Sequence, residues 1–220
     1  MCGIFALLSR NYMAKYPLGE IFKNFSNIYG RGPDISKLLS INTNTFFGFH
    51  RLAINDLSIN GDQPFKMVTD DGDEIHLICN GEIYNHLELE KEFGFTMSSK
   101  SDCEVIMHLY KHFGDINLAA DRLDGVFAFL LYDAKKDVLF VGRDPIGVRP
   151  MFMGVDKETD TTVFASESKA FNHLVQNEIQ QVPPGSTWRS DQPDKFYKWF
   201  NLENYTSYKE TPEMITKEDD

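Results

Sequence analysis

No apolar run in the sequence approaches the roughly 20 residues needed to cross a bilayer, and the longest, such as Val126–Tyr132, fall far short of it. The start of the chain lacks a basic stretch followed by a hydrophobic one, so nothing reads as an export signal. Basic clusters are missing too. Lys and Arg number 22 against 33 Asp and Glu, a formal net charge of −11, which excludes the phosphate-neutralising surface that nucleic acid requires. Cysteine is scarce: Cys2, Cys79 and Cys103 are an odd, widely spaced set without a C-x-x-C pair, against both a disulfide framework and a thiolate zinc site. Neither a Walker phosphate loop nor a dinucleotide-binding glycine pattern occurs. These absences predict a soluble cytoplasmic protein with reduced thiols, no metal, and neither nucleic acid nor membrane as partner.

What is present suits one globular domain, since 42% of 220 residues are hydrophobic. Segments Ile4–Ser9, Thr45–Leu52, Ile75–Asn80, Gly125–Asp133 and Asp137–Arg143 are short, apolar and bounded by turn residues, which predicts strands. Ala134-Lys135-Lys136 joins the last two as a hairpin. Leu18, Ile21, Phe22, Phe25, Ile28 and Tyr29 recur at helical spacing, as do Val105, Ile106, Leu109, Tyr110 and Phe113. Ser101-Asp102-Cys103-Glu104 reads as a capping box that sets Asp102 in the first helical turn. Helices grouped between runs of hairpin-connected strands predict an α+β fold. Tyr197–Phe200 reads as a last strand, and residues 201–220 as an acidic linker or tail outside a domain spanning residues 1–200.

Cys2 is the residue best placed for chemistry. Removal of Met1, usual before a small residue, would leave a nucleophilic thiol and a free α-amine on one residue. The amine titrates at about 7.7–8.0 and the thiol near 8.5, so the amine can take the thiol proton and hand it to a leaving ammonia. Amide cleavage also needs donors for the tetrahedral oxyanion. Asn80-Gly81-Glu82, just after an apolar strand, offers a carboxamide and an unobstructed N–H, although an ordinary Asn-Gly turn is the alternative. A free amino acid requires a fixed cation and fixed anions; Arg51 and Asp102 are suitably placed, with surface ion pairing as the alternative.

These residues fall in blocks that resemble the class II, N-terminal-nucleophile glutamine amidotransferases, and most closely the glutaminase domain of glutamine-hydrolysing asparagine synthetases. The blocks are Met1-Cys2-Gly3-Ile4-Phe5, Arg31-Gly32-Pro33-Asp34, Gly48-Phe49-His50-Arg51-Leu52-Ala53-Ile54, Asn80-Gly81-Glu82-Ile83-Tyr84-Asn85-His86, Ser101-Asp102-Cys103-Glu104, Leu123-Asp124-Gly125-Val126-Phe127-Ala128-Phe129 and Gly142-Arg143-Asp144-Pro145. They occur in family order across about residues 1–200. The resemblance implies a four-layer αββα sandwich with Cys2 as nucleophile and Asn80 and Gly81 as oxyanion hole. It implies that Arg51 holds the glutamine carboxylate, that Asp102 and Glu82 meet its ammonium group, and that the backbone of Leu52, Ala53, Ile54 and Asn55 lines the pocket. Arg31 and Arg143 are expected to hold loops, with no chemical role.

The synthetase half of that family carries a Ser-Gly-Gly-x-Asp-Ser loop for ATP, and no such loop occurs here. ATP and magnesium are therefore expected only on a separate synthetase domain or subunit, the implied ammonia acceptor, and the chain is read as a piece of a larger synthetase or a stand-alone glutaminase. The alternatives are the ammonia-supplying module of another class II amidotransferase and a non-catalytic glutamine-binding domain. His108 and His112 are spaced like zinc ligands, but no third ligand accompanies them. His50 is expected to be a hydrogen-bonded structural histidine, and Phe46, Phe47 and Phe49 to be core.

Overall fold

The computed structural model describes residues 1–9, 16–54, 56–172, 174–175 and 178–201. In chain order the elements are β1 (Gly3–Ser9), α1 (Leu18–Ser26), β2 (Ile35–Ser40), β3 (Thr45–Arg51), β4 (Phe65–Val68), β5 (Glu74–Ile83), α2 (His86–Phe93), α3 (Val105–Phe113), α4 (Ile116–Asp121), β6 (Gly125–Asp133), β7 (Val138–Arg143), β8 (Phe152–Asp156), β9 (Thr161–Ala165), β10 (Ile179–Gln181), β11 (Ser186–Arg189) and β12 (Tyr197–Lys198). Among the described residues they form two six-stranded antiparallel sheets, ordered β10-β8-β9-β1-β3-β2 and β12-β11-β7-β6-β5-β4.

Three apolar layers explain why the central strands are apolar at every position instead of alternating. On β1, Ile4 and Ala6 face the second sheet, while Phe5 and Leu7 face α1 and the short helical turn Ser168–Phe171. On β6, Ala128, Leu130 and Tyr132 point between the sheets, while Phe127, Phe129 and Leu131 pack under α2, α3 and α4. Helices thus cover the outer face of each sheet, which is the expected αββα sandwich. Trp188 closes the middle layer against Phe164, with ring centroids 5.0 Å apart.

Two local expectations are corrected. Helix α1 stops at Ser26, and only Ile21, Phe25 and Ile28 of its apolar set are buried; Leu18, Phe22 and Tyr29 are exposed because the sheet covers just a narrow stripe. The capping box does not form. The carboxylate of Glu104 takes the N–H and hydroxyl groups of Ser98 and Ser99 at 2.5–2.8 Å, while Ser101 gives its own N–H to the Ser99 hydroxyl at 3.1 Å and makes no side-chain cap. Asp102 accordingly lies in a 3₁₀ turn, Asp102–Glu104, ahead of α3. The hairpin between β6 and β7 is as expected, whereas the last strand shortens to Tyr197–Lys198. Of the expected tail, residues 202–220 lie outside the described residues. Among those described, no helix is long and apolar enough to cross a membrane.

Candidate active site

β1 begins at Gly3, so Cys2 stands at the head of a strand paired on both sides. Pairing of Gly3 with His50 sets Cys2 beside the end of β3, where its Sγ accepts the N–H of Leu52 at 3.4 Å. Arg31 holds the same residue from behind: Nε donates to the Cys2 carbonyl at 2.9 Å and Nη1 pairs with Glu167 at 3.0 Å. Burial pushes the Cys2 thiol above its ordinary pKa, and the Leu52 N–H, the positive N-terminus and Arg51 oppose that shift. Cys79 and Cys103 also border this region but are fully buried. The adjoining Cys79 thiol and burial raise the Cys103 thiol well above its usual range. Cys2 is the one of the three with partial access to solvent.

The opposite sheet supplies Asn80 and Gly81. The sequence suggests a position just after a strand, or a turn; instead both residues lie inside β5, which stays paired with β6 through Ile83. Asn80 is 2% exposed, and its Nδ2 is a buried donor without a hydrogen-bond partner. Such a donor is costly to leave unpaired, and it borders the same cavity as Cys2. At Gly81 a Cβ would stand 2.5 Å from the Val126 carbonyl oxygen, so the close approach of β6 excludes every other residue.

The cavity encloses about 190 Å³, and Cys2, Arg51, Leu52, Asn80, Gly81 and Asp102 all line it. Ile54, Gln63, Glu82 and Arg149 also belong to the wall, as does Met1. Arg51 donates to the Ser58 carbonyl at 3.1 Å and to the Asp56 carbonyl, and it pairs with Asp62. Asp102 accepts the N–H of Ile83 through Oδ2 at 2.6 Å, which ties it to the end of β5. Glu82 lies 3.6 Å from Arg149 and is half exposed. Ala53 gives its N–H to Asp34 at 2.8 Å and, unlike Leu52 and Ile54, does not border this cavity. Asn55 lies outside the described residues.

Other sequence readings take their places around this centre. A Cβ at Gly32 would stand 2.2 Å from the His50 carbonyl oxygen, so the Arg31-Gly32-Pro33-Asp34 block is a close backbone crossing beneath β3. Arg143 donates to the carbonyls of Arg149, Gly147 and Val182, holding the loop that carries Arg149. His50 bonds Ser36 and the Phe25 carbonyl and stacks on Phe25 at 3.8 Å, the expected structural role. His108 lies 3.6 Å from Glu104, and His112 packs on Phe93 and Phe113. Sequence reasoning missed Asp62, Gln63 and Arg149. No periodicity ties them to Cys2 or Arg51, and only the fold brings Gln63 and Arg149 to the cavity and Asp62 to Arg51.

A thiol, an unpaired buried amide donor, two guanidinium groups and two carboxylates bordering a small cavity can hold a free amino acid by both charges and attack its side-chain carbonyl. A family model described as a glutamine amidotransferase domain matches residues 1–193. The chain belongs to the glutamine amidotransferase family. As an amidotransferase domain it is 36% identical, over 94% of its length, to a probable glutamine-hydrolysing asparagine synthetase of Acanthamoeba polyphaga mimivirus, of which it covers 39%. It is 39% identical, over 91% of its length, to asparagine synthetase 1 of Saccharomyces cerevisiae, of which it covers 34%. The chain thus spans little more than a third of these relatives. In fold the amidotransferase domain is similar to the glutamine phosphoribosylpyrophosphate amidotransferase of B. subtilis, with a TM-score of 0.74 at 21% identity over 90% of this chain and 49% of that one.

Proposed function

We propose that this chain hydrolyses glutamine to glutamate and ammonia through a Cys2 thioester, as the glutaminase part of a cytoplasmic, asparagine-forming ligase. The observation that carries the reading is the unpaired Asn80 Nδ2, buried in the same cavity as the Cys2 thiol. Arg51 takes the substrate carboxylate, and Asp102 with Glu82 takes its ammonium group. Once Met1 is gone, the Cys2 amine accepts the thiol proton and sulfur attacks the amide carbon. Asn80 Nδ2 and the Gly81 N–H hold the developing oxyanion. The intermediate collapses, the proton passes to the leaving ammonia, and water then cleaves the thioester to glutamate.

The asparagine branch is favoured by the names of the full-length relatives and by identity across nearly the whole chain. A synthetase domain or subunit, carrying ATP and magnesium, is the proposed ammonia acceptor. The test is ammonia release from glutamine by a preparation whose intact mass shows Cys2 at the N-terminus. Absence of turnover there, with and without a supplied synthetase domain, would leave a glutamine-binding domain in place of an enzyme.

A further inference from the structure

Strand β4 pairs with β5 from Val68 opposite Glu74 up to Phe65 opposite Leu77. Carried two residues further, the same register sets residue 63 opposite Cys79, but Pro64 has no N–H to continue the ladder and β4 has ended. The side chain of Gln63 takes over. Its Oε1 accepts the Cys79 N–H at 2.6 Å, and its Nε2 donates to the Cys79 carbonyl at 3.1 Å. Donor and acceptor reproduce the two bonds that a hydrogen-bonded antiparallel pair exchanges. Gln63 is 5% exposed and borders the cavity.

This clamp sits one residue before Asn80. Because Cys79 turns its N–H and carbonyl to the β4 side, alternation turns the N–H of Gly81 to that same edge, beyond the end of β4. The Asn80 carboxamide leaves β5 between these two residues. Without the clamp, the last residue held on this edge before Asn80 would be Leu77, and beyond it only the Cys103 thiol on the Gly81 carbonyl at 3.7 Å and Asp102 on the Ile83 N–H at 2.6 Å would remain.

Resting on the glutaminase reading, we infer that Gln63 is a positioning residue for the oxyanion hole. Its carboxamide stands in for the missing strand and fixes the backbone that aims Asn80 and Gly81. Each polar end of that carboxamide is engaged with Cys79, and through this backbone its effect is to reach the substrate.

The test uses the whole chain with a confirmed N-terminal Cys2, comparing wild type with Gln63→Met, which keeps the volume and loses both bonds, and Gln63→Glu, which keeps the acceptor. We expect Gln63→Met to lower kcat about 10- to 100-fold, less than outright loss of an oxyanion donor. KM, glutamate affinity and the iodoacetamide alkylation rate of Cys2 should change less than about threefold, and Gln63→Glu should fall between. In an Asn80→Ala background Gln63→Met should cost at least threefold less, since one of the groups it positions is gone. Wild-type kcat in Gln63→Met, equal losses in kcat and glutamate affinity, or full additivity with Asn80→Ala would overturn the inference. If Gln63→Met fails to fold, Gln63→Glu decides on the same criteria. An inactive wild type would instead overturn the glutaminase reading.

Discussion

The guanidinium of Arg51 is paired with the carboxylate of Asp62, each side chain only 5% exposed. Lys37 approaches the other Asp62 oxygen at 3.1 Å from a more open position. Asp62 therefore orients the guanidinium that takes the substrate carboxylate in the proposed reaction. Asp62→Asn is expected to raise the KM for glutamine several-fold while changing kcat little. Arg51→Ala should weaken glutamine binding by about 2–5 kcal/mol, because a substrate carboxylate is then left without its partner. Steady-state kinetics measures the first effect, and isothermal titration with a Cys2→Ala protein, which binds without turnover, measures the second.

In the proposed reaction, chemistry rests on Cys2 and on the release of its amine. Cys2→Ala should abolish hydrolysis and leave the fold and glutamine binding intact. A chain kept from trimming by a bulky residue inserted after Met1 should be equally inactive, since a peptide N–H has no lone pair for the thiol proton and the extra atoms obstruct the mouth. Ammonia release by that extended chain at the processed rate, with intact mass confirming the extension, would show that another group is the base.

Oxyanion stabilisation separates Asn80 from a merely structural residue. Asn80→Ala and Asn80→Gly should each lower kcat by about 10²–10³ with little effect on KM. Gly81→Ala should behave differently, because its Cβ would meet the Val126 carbonyl and neighbouring backbone. We expect a loss of about 1–3 kcal/mol of stability together with activity. Steady-state kinetics paired with urea denaturation distinguishes the two patterns.

Acid sensitivity should be traceable to Glu104. Burial by itself would raise its pKa, but the His108 imidazole 3.6 Å away and the hydrogen bonds from Ser98 and Ser99 prevail and hold it down to about 2. The folded value lies below the ordinary 4.5, so its contribution is complete above pH 4.5 and disappears as pH falls towards 2. That contribution is on the order of 3 kcal/mol. Glu104→Gln should therefore destabilise the protein at neutral pH and narrow its difference from wild type between pH 4.5 and 2, measured by urea denaturation across that range.

The sequence by itself determined the fold class and the places of six of the twelve described strands, and it pointed to residues that the structure brings around one cavity. Runs apolar at every position, as in Val126–Tyr132, mark strands buried on both faces, and Cys2, Arg51, Asn80 and Asp102 stand in blocks whose chemistry is local to each. The interior position of Asn80 in β5 was not legible, since Asn-Gly ordinarily signals a turn and only pairing with β6 carries the strand past it. Nor was the failure of the capping box, because the competing Ser98 and Ser99 donors depend on how the preceding loop folds back. Asp62 and Gln63 acquired their roles in tertiary structure alone: one reaches Arg51 across 11 residues and the other replaces a strand beside Cys79. Hydrophobic periodicity records which face of an element is buried. It carries no information about which polar side chain will meet an unpaired backbone group at the end of a strand, and that contact is decided by the packing of the two sheets.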